Sequence, residues 1–343
     1  MAGPYYVDPA AAGTNDGSSW TNAWTSLQTA ADTAVAGEVV YCRGTQVLSV
    51  AIDFDTNAGT NAGGYIQFIG CNASGNRDGT RFVVDCNNAG IHGIVLTTTA
   101  DMVWFENIEV HSTGGTSKNG FFLSSSSSTG CVFVNCSARD CSGIGVSLVN
   151  AGVGCVCSRC VSHNNTGHGF QYGTSNSSFL FCCAHDNGLD GFSQAVGATI
   201  GCLSYDNTDD GFGTLAYGSV VYNCVSDNNG DDGVELFAGT TLYNPILIGT
   251  RITNHSGSGD VGLDANSKPC ITMCCYFEDN DGDNIQNGSL HYNMSIDGTA
   301  NSSNVEDQAN TTEGYTSLTE GSENYNLASG ASLFSQAITI PAT

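Results

Sequence analysis

Basic residues are the scarcest feature of this 343-residue sequence, which has 8 Lys+Arg against 33 Asp+Glu and a formal net charge of −25. A surface so poor in positive charge repels phosphate groups, so we expect no nucleic-acid partner. No long apolar run is present, which predicts no membrane insertion. The first residues form neither a basic segment nor an apolar stretch, so we expect that an export signal was removed or that none existed.

Two residue types are abundant instead: 44 Gly and 16 Cys. Hydrophobic residues make up 40% of the chain, enough to build a core, so the composition excludes a disordered protein. Disulfides are typical of secreted proteins, but the positions of these cysteines, described next, indicate buried thiols. That interpretation favours synthesis in a reducing cytosol.

A repeated segment carries the main structural signal. Each unit has alternating apolar residues, as in Val132, Val134 and Cys136, then a polar Asn/Asp/Gly turn, and then Gly with a large apolar residue such as Phe192. Alternation predicts a strand with one buried face, and the second apolar position begins another strand. The cysteines that recur in these units are Cys136, Cys160, Cys183, Cys202, Cys224 and Cys275.

Units of about 20–25 residues without a helical period are typical of the coils of a parallel β-helix. The sequence therefore predicts an all-β fold, a single-stranded right-handed parallel β-helix of roughly seven or more coils. Leu27, Ala30, Ala31 and Ala34 recur at helical spacing, which predicts an amphipathic capping helix near residues 24–36.

Three regions follow from these patterns. Residues 1–50 are predicted to form the N-terminal cap and first strand, residues 51–295 the β-helix coils, and residues 296–343 a C-terminal strap or attachment tail. The segments YYVDP, DGSSW and GEVVYCRGT resemble the amino-terminal segment of many right-handed β-helix repeat proteins. That resemblance covers about fifty residues and continues as the repeat pattern to about residue 295.

The recurring cysteines should form one internal column, because equivalent residues of successive coils lie about 4.8 Å apart. A ladder of buried thiols is the favoured interpretation, and a ladder of disulfides is the alternative, although parallel in-register side chains rarely reach the disulfide torsion. The doublets Cys182-Cys183 and Cys274-Cys275 leave one sulfur of each pair outside the column. Cys155, Cys157 and Cys160 form only part of a zinc-binding pattern.

Acidic side chains form a second column, two residues before the large apolar position of each unit. Stacked carboxylates about 5 Å apart repel by about 3 kcal/mol per pair at an effective dielectric near 20, and Ca²⁺ would neutralise them. The alternative is a row of solvated turn aspartates, because Asp-Gly suits turns. The column contains His168, Asp190, Asp210, Asp232 and Asp283, with Asp209 and Asp231 beside two of them.

The segments YDNTDDGF and NNGDDGVELF resemble the calcium-binding coils of family-nine pectate lyases. The resemblance implies that Asp231, Asp232 and Glu235 bind Ca²⁺ and that a lysine two coils later is the catalytic base. Here Asp264 stands at the lysine position, with Lys268 four residues on, so Lys268 and Arg251 are the candidate catalytic residues and the base stays unknown. Fragments typical of galacturonan hydrolases also occur, but in the wrong order.

The sequence leaves two functions open. The first is a non-catalytic surface β-helix, a bacteriophage virion component such as a head decoration, fibre or spike that binds glycans; it resembles β-helix proteins of phages. The second is a secreted Ca²⁺-dependent uronate lyase. Expected partners are other virion or surface proteins, a second copy of the chain, or a polysaccharide, and the expected location is the virion or extracellular surface.

Overall fold

The computed structural model of the chain describes residues 4–97, 100–125, 128–149, 153–172, 177–195, 197–215, 219–236, 246–253, 255, 261–264, 271–278, 285–286, 290–295, 306–307, 315–317 and 324–327. These residues wind into a right-handed solenoid of parallel strands. Each complete coil contributes one strand to each of three parallel sheets. The predicted all-β parallel β-helix is therefore confirmed.

Sheet 1 begins with the amino-terminal strand, whose Tyr5 pairs with Val40. Every later strand pairs in parallel with its counterpart in the next coil. Its strands are Tyr5–Val7, Val39–Arg43, Ile66–Cys71, Val103–Glu106, Val132–Val134, Val156–Ser158, Ser177–Leu180, Gly197–Ile200, Val220–Tyr222, Ile246–Ile248, the first part of Ile271–Glu278, Leu290–Ser295 and Glu306–Asp307.

Sheets 2 and 3 complete each coil in the same parallel register. The strands of sheet 2 are Thr45–Val47, Phe82–Asp85, Ile108–His111, Ser137–Arg139, Val161–His163, Cys183–His185, Leu203–Tyr205, Val225–Asp227, Arg251–Thr253 and the second part of Ile271–Glu278. The ten strands of sheet 3 are Ile52–Phe54, Ile94–Leu96, Phe121–Leu123, Val146–Leu148, Phe170–Tyr172, Phe192–Ala195, Phe212–Leu215, Val234–Leu236, Leu263–Asp264 and Ile285–Gln286.

The core runs along the axis of the solenoid as stacks of identical positions. Phe170, Phe192 and Phe212 of sheet 3 stack with ring centroids 5.0 and 5.2 Å apart. Phe105 and Phe133 of sheet 1 stack in the same way at 5.4 Å. Because each ring is buried against the equivalent ring of the next coil, the hydrophobic repeat of the sequence becomes a continuous interior.

The chain turns sharply between sheets 1 and 2 through a single residue of left-handed backbone conformation, which we call the first corner. Asn135 and Asn223 occupy it with φ of 50° and 51°. This corner changes which residues face inward. Phe133 is fully buried, whereas Val132 and Val134 are only half-buried, so the predicted inward alternation of the two valines was wrong.

A ladder of buried asparagines supports the turn between sheets 2 and 3. The side-chain amide of Asn165 donates to Asn187 Oδ1 at 2.9 Å, and Asn187 and Asn207 donate onward to Asn207 and Asn229 at 2.8 Å. These four side chains are at most 3% exposed. The asparagines thus satisfy buried polar groups from one coil to the next.

The amino-terminal helix is confirmed but shorter than predicted, Leu27–Thr33. The Ser26 hydroxyl caps it by accepting a hydrogen bond from the Gln28 amide, and Leu27 and Ala30 are fully buried. The Gln28 side chain binds both backbone groups of Asp53, which fixes the helix to the first strand of sheet 3. None of the helices in the described part of the chain has the length and hydrophobicity that a membrane crossing needs.

Strands lie in both of the predicted end regions. Residues 1–50 hold three strands and the helix. Parallel pairing continues beyond residue 295, because Tyr292 pairs with Glu306. In the predicted tail, Tyr315–Ser317 and Asn324–Leu327 pair as antiparallel strands, and apart from these and Glu306–Asp307 the residues 296–343 lie outside the described part of the chain.

Candidate functional site

The acidic column lies at the end of the turn that leads into sheet 3, two residues before each strand, and we call it the turn column. Its side chains accept hydrogen bonds from backbone amides of the next coil. Asp210 Oδ1 accepts from the Asp232 amide at 2.9 Å, and Asp232 Oδ1 accepts from the Val261 amide at 2.8 Å. In a lower coil, His92 Nδ1 accepts from the Asn119 amide in the same way.

His92 and Asn119 are therefore members of the turn column that sequence analysis missed. The signal was available, because each precedes a glycine and a large apolar residue, as Asp190 and Asp210 do. His168 holds its predicted place, with Nδ1 3.2 Å from both the Asp190 amide and Asp190 Oδ2. The predicted member Asp283 lies outside the described residues.

The structure brings the predicted metal ligands together in what we call the carboxylate cluster. Asp190, Asp210 and Asp232 are only 4%, 5% and 8% exposed. Oxygens of one group of three aspartates lie within 4.8 Å of one another, and so do those of a second group that shares Asp210. The cluster comprises Asp190, Asp209, Asp210, Asp231, Asp232 and Glu235.

A glycine on the outer face of sheet 3 makes room for this cluster. A Cβ atom at Gly213 would lie 2.3 Å from Asp190 Oδ2 and 3.0 Å from Asp210 Oδ2. One coil later the same outward position is Glu235, which pairs with Asp264 in the following coil. The Asp190 and Asp210 carboxylates therefore lie over the backbone of Gly213, in space that a side chain at this position would occupy.

Burial and mutual repulsion raise the pKa of three carboxyl groups of this cluster. Burial, with the charges of Asp190 and Glu235 next in weight, raises the pKa of Asp210 to about 10. Burial also raises the pKa of Asp232 to about 7 and raises the pKa of Asp209 above its usual value. A cation of suitable size would reverse these shifts, because an adjacent positive charge favours the ionised carboxylate.

The donor set and its spacing fit Ca²⁺. Calcium takes six to eight oxygens at about 2.3–2.6 Å, so an ion between two oxygens separates them by about 4.6–5.2 Å. The two aspartate groups hold their oxygens within 4.8 Å. Asp190, Asp209, Asp210, Asp231 and Asp232 are the residues that would hold the ion.

The candidate catalytic residues do not join the cluster in the described part of the chain. Arg251 begins a strand of sheet 2 and is exposed, whereas the cluster lies in the turn before sheet 3. Lys268 lies outside the described residues. Lys118 precedes a member of the turn column, but it lies four coils below Asp210, about 19 Å away at the spacing of neighbouring strands.

Comparison with known proteins gives a decisive match. The sequence profile of the family described as right handed beta helix region matches residues 92–267, just over half of the chain. The chain belongs to this family. A search of curated proteins finds no match.

Three solved structures illustrate the shared β-helix fold of the family. Pectate lyase Pel9A superposes with a TM-score of 0.63 and 18% identity, covering 97% of this chain and 90% of that one. The A-module of Azotobacter vinelandii mannuronan C-5 epimerase AlgE4 gives 0.53 and 13%, covering 78% and 81%. Tailspike protein 2 of Escherichia coli O157:H7 bacteriophage CAB120 gives 0.51 and 10%, covering 86% of this chain but 42% of the tailspike.

The cysteine column of this β-helix family member differs from the predicted one at a single position. Cys182, not Cys183, lies between Cys160 and Cys202, and the amide of Cys182 donates to Cys202 Sγ at 3.3 Å. Cys183 begins the next strand of sheet 2 and is only half-buried. The left-handed corner at Phe181, with a φ of 55°, ends the inward alternation and turns Cys182 inward.

The other predicted members follow the expected register. Cys136, Cys160, Cys202 and Cys224 are at most 2% exposed. Thr250 occupies the coil without a cysteine, and Cys275 occupies the coil after it. Fourteen of the cysteines in the described part of the chain are thiols rather than halves of disulfides. Groups of three metal-capable side chains in the described residues consist of aspartates alone, so Cys155 and Cys157 belong to the core.

Two other histidines of the repeat, His163 and His185, lie on the outer face of sheet 2. His163 stacks on His185 with ring centroids 4.8 Å apart, and His185 stacks on Tyr205 at the same distance. His185 Nδ1 lies 2.7 Å from Asp186 Oδ2. Their parallel rings continue the repeat on the surface, away from the carboxylate cluster.

Proposed function

We propose that the protein is a non-catalytic β-helix of a bacteriophage particle surface and that its carboxylate cluster binds Ca²⁺ and, through it, an acidic polysaccharide. The observation that carries the proposal is the carboxylate cluster, in which aspartates from three successive coils form two groups that share Asp210 and hold their oxygens within 4.8 Å of one another. Bound Ca²⁺ would supply the positive charge that attracts the carboxylates of a uronate polymer. The tailspike likeness of the fold supports the location.

Asp264, which pairs with Glu235 from the next coil, supports binding of a polysaccharide without cleavage. Elimination from a uronate needs a base near the proton at C5 and positive charge near the developing enolate. The resemblance to family-nine lyases implies a lysine where this chain has Asp264, and Asp264 pairs with Glu235 in the register of sheet 3. A carboxylate there adds negative charge to the cluster and opposes that transition state.

A uronate lyase is the second candidate. Two of the similar structures are a pectate lyase and a mannuronan epimerase, and both pectate and mannuronan are polymers of uronic acids. The pectate lyase, Pel9A, superposes on nearly the whole chain. Asp231, Asp232 and Glu235 also match the calcium-binding triplet of the lyase resemblance. In this function Lys268 or Arg251 would supply the base.

The two functions are separated by measuring calcium binding and turnover on the same protein. We expect the melting temperature to rise with Ca²⁺ and to fall with chelator. A hundredfold excess of Ca²⁺ over its Kd should add about 2.7 kcal/mol to the free energy of unfolding. Polygalacturonate and alginate should show no increase in the absorbance of unsaturated uronates. An antibody against the chain should label intact particles from the source culture.

A different pair of results would favour the lyase. The original chain would form unsaturated uronate in a calcium-dependent reaction, and Lys268→Ala or Arg251→Ala would abolish that reaction. If the variant kept the calcium shift of the melting temperature, the replaced residue would be a base that does not hold the ion. An unchanged melting temperature in Ca²⁺ and in chelator would instead reduce the cluster to turn aspartates.

A further inference from the structure

The first corner carries an unusual side chain at Phe181. Arg159, Phe181, Gly201, Asn223 and Gly249 occupy this corner in five successive coils, because the residues before them pair in register. All five have positive φ, and that of Phe181 is 55°. Glycine and asparagine adopt this conformation readily, whereas a bulky side chain rarely does.

The Phe181 ring lies on the surface of the molecule. It is 59% exposed, and a Cβ at Gly201 would lie 2.6 Å from its Cδ1 atom, so the ring rests on the backbone of the next coil. Tyr222 lies two coils after Phe181, directly before the same corner, and is 47% exposed. Two aromatic side chains are therefore presented to solvent along one edge of the solenoid.

Folding does not account for phenylalanine at this position. Asn107, Asn135 and Asn223 make the same corner with φ of 54°, 50° and 51°. A strained and exposed aromatic residue where asparagine would serve the backbone better points to a contact made outside the chain.

Positive charge brackets the two aromatic residues. Arg159 is exposed at the same corner one coil before Phe181, and Arg251 is exposed at the start of the sheet 2 strand one coil after Tyr222. The strip from Arg159 to Arg251 spans four coil spacings, about 19 Å. Two of the 8 basic residues of a chain with net charge −25 thus lie on this edge.

We propose that this strip, the aromatic ridge formed by Arg159, Phe181, Tyr222 and Arg251, is a binding site for an acidic polysaccharide. Sugar rings would place their C–H faces on the two aromatic side chains, and carboxylate or sulfate groups would pair with the two guanidinium groups. The ridge shares its ligand class with the proposed function, but it lies between sheets 1 and 2, whereas the carboxylate cluster lies between sheets 2 and 3.

The test replaces Phe181 with the residue that the corner prefers. Phe181→Asn should raise the melting temperature by about 1–2 °C, because it relieves the backbone strain. The same variant should weaken binding of polygalacturonate or dextran sulfate by about tenfold in titration calorimetry. Phe181→Trp should bind within about twofold of the original chain. Val50→Asn, at a 70% exposed valine of the first coil, is the matched control and should bind normally.

The polymers distinguish the anionic groups, with polygalacturonate carrying carboxylates, dextran sulfate carrying sulfates and plain dextran carrying neither. Two measurements separate the aromatic ridge from the carboxylate cluster. Polymer binding to the ridge should persist in chelator, and Phe181→Asn should keep the calcium-dependent rise in melting temperature. If Phe181→Asn lowered the melting temperature and left polymer binding unchanged, Phe181 would have only a structural role and the proposal would be wrong. Absence of binding of both anionic polymers to the original chain would also overturn the proposal.

Discussion

Asp210 is the residue at which the electrostatics of the carboxylate cluster can be tested most directly. It is 5% exposed, and burial followed by the charges of Asp190 and Glu235 raises its pKa to about 10. Asp210→Asn removes the ionisable group while preserving a carbonyl-type oxygen that can accept the 2.9 Å hydrogen bond from the Asp232 amide. The substitution therefore changes charge with little change in shape.

The sign of the pH effect follows from the raised pKa. Between pH 4 and the folded-state pKa, the folded chain keeps a proton that the unfolded chain has released, so the free energy of unfolding falls as pH rises. The fall continues to about pH 7 for Asp232 and to about pH 10 for Asp210. At pH 7 this costs on the order of 4 kcal/mol per group as an upper bound.

We expect the chelator-treated chain to melt at a lower temperature at pH 8 than at pH 5, and Asp210→Asn to remove much of that difference. Added Ca²⁺ should stabilise the original chain more at pH 8 than at pH 5, because the ion competes with protons. Circular dichroism melts measure both effects. Asp206→Asn, at an exposed aspartate of the same turn, controls for the loss of one surface charge. Equal or greater stability of the metal-free chain at pH 8 would refute the reasoning.

The three remaining predictions concern Gly213 and the thiols. Gly213→Ala places a methyl group 2.3 Å from Asp190 Oδ2 and should displace that carboxylate, so Ca²⁺ binding should weaken about tenfold in calorimetry while the circular dichroism spectrum stays unchanged. Unaltered affinity would contradict the carboxylate cluster as the calcium site. Cys182→Ala should lower stability by about 1–2 kcal/mol, because its sulfur is fully packed, whereas Cys183→Ala should cost less than about 0.5 kcal/mol. Equal losses would argue against the corrected column. Thiol titration of the unfolded, unreduced chain should find most of the 16 cysteines free.

Sequence periodicity predicted the β-helix because the repeat and the fold share one period. Every coil places its large apolar residue at the same point of sheet 3, so Phe170, Phe192 and Phe212 can be aligned from the amino-acid sequence alone. The turn column could be located for the same reason, since it stands at a constant distance before those residues.

The corners were harder to predict because a single left-handed residue reverses the inward and outward faces of a strand. At Phe181 that reversal buries Cys182 and exposes the phenylalanine ring, which simple alternation places inside. Nothing in the composition of the segment FLFCC marks which residue turns. The asparagine ladder was predicted only as a polar turn, although Asn187 and Asn207 recur at a constant position, because hydrogen bonding along the axis depends on the register between coils.

The hydrogen bonds of the turn column indicate that its aspartates do more than connect coils. Asp210 and Asp232 accept a hydrogen bond from a backbone amide of the next coil, and neutral side chains fill that role elsewhere, as His92 and Asn119 do for Asn119 and Ile144. Replacing neutral acceptors by carboxylates in three consecutive coils adds burial and repulsion that raise the pKa of Asp210 and Asp232. Connecting coils does not require that electrostatic cost, and the proposed binding of a cation would offset it, because an adjacent positive charge favours the ionised carboxylates.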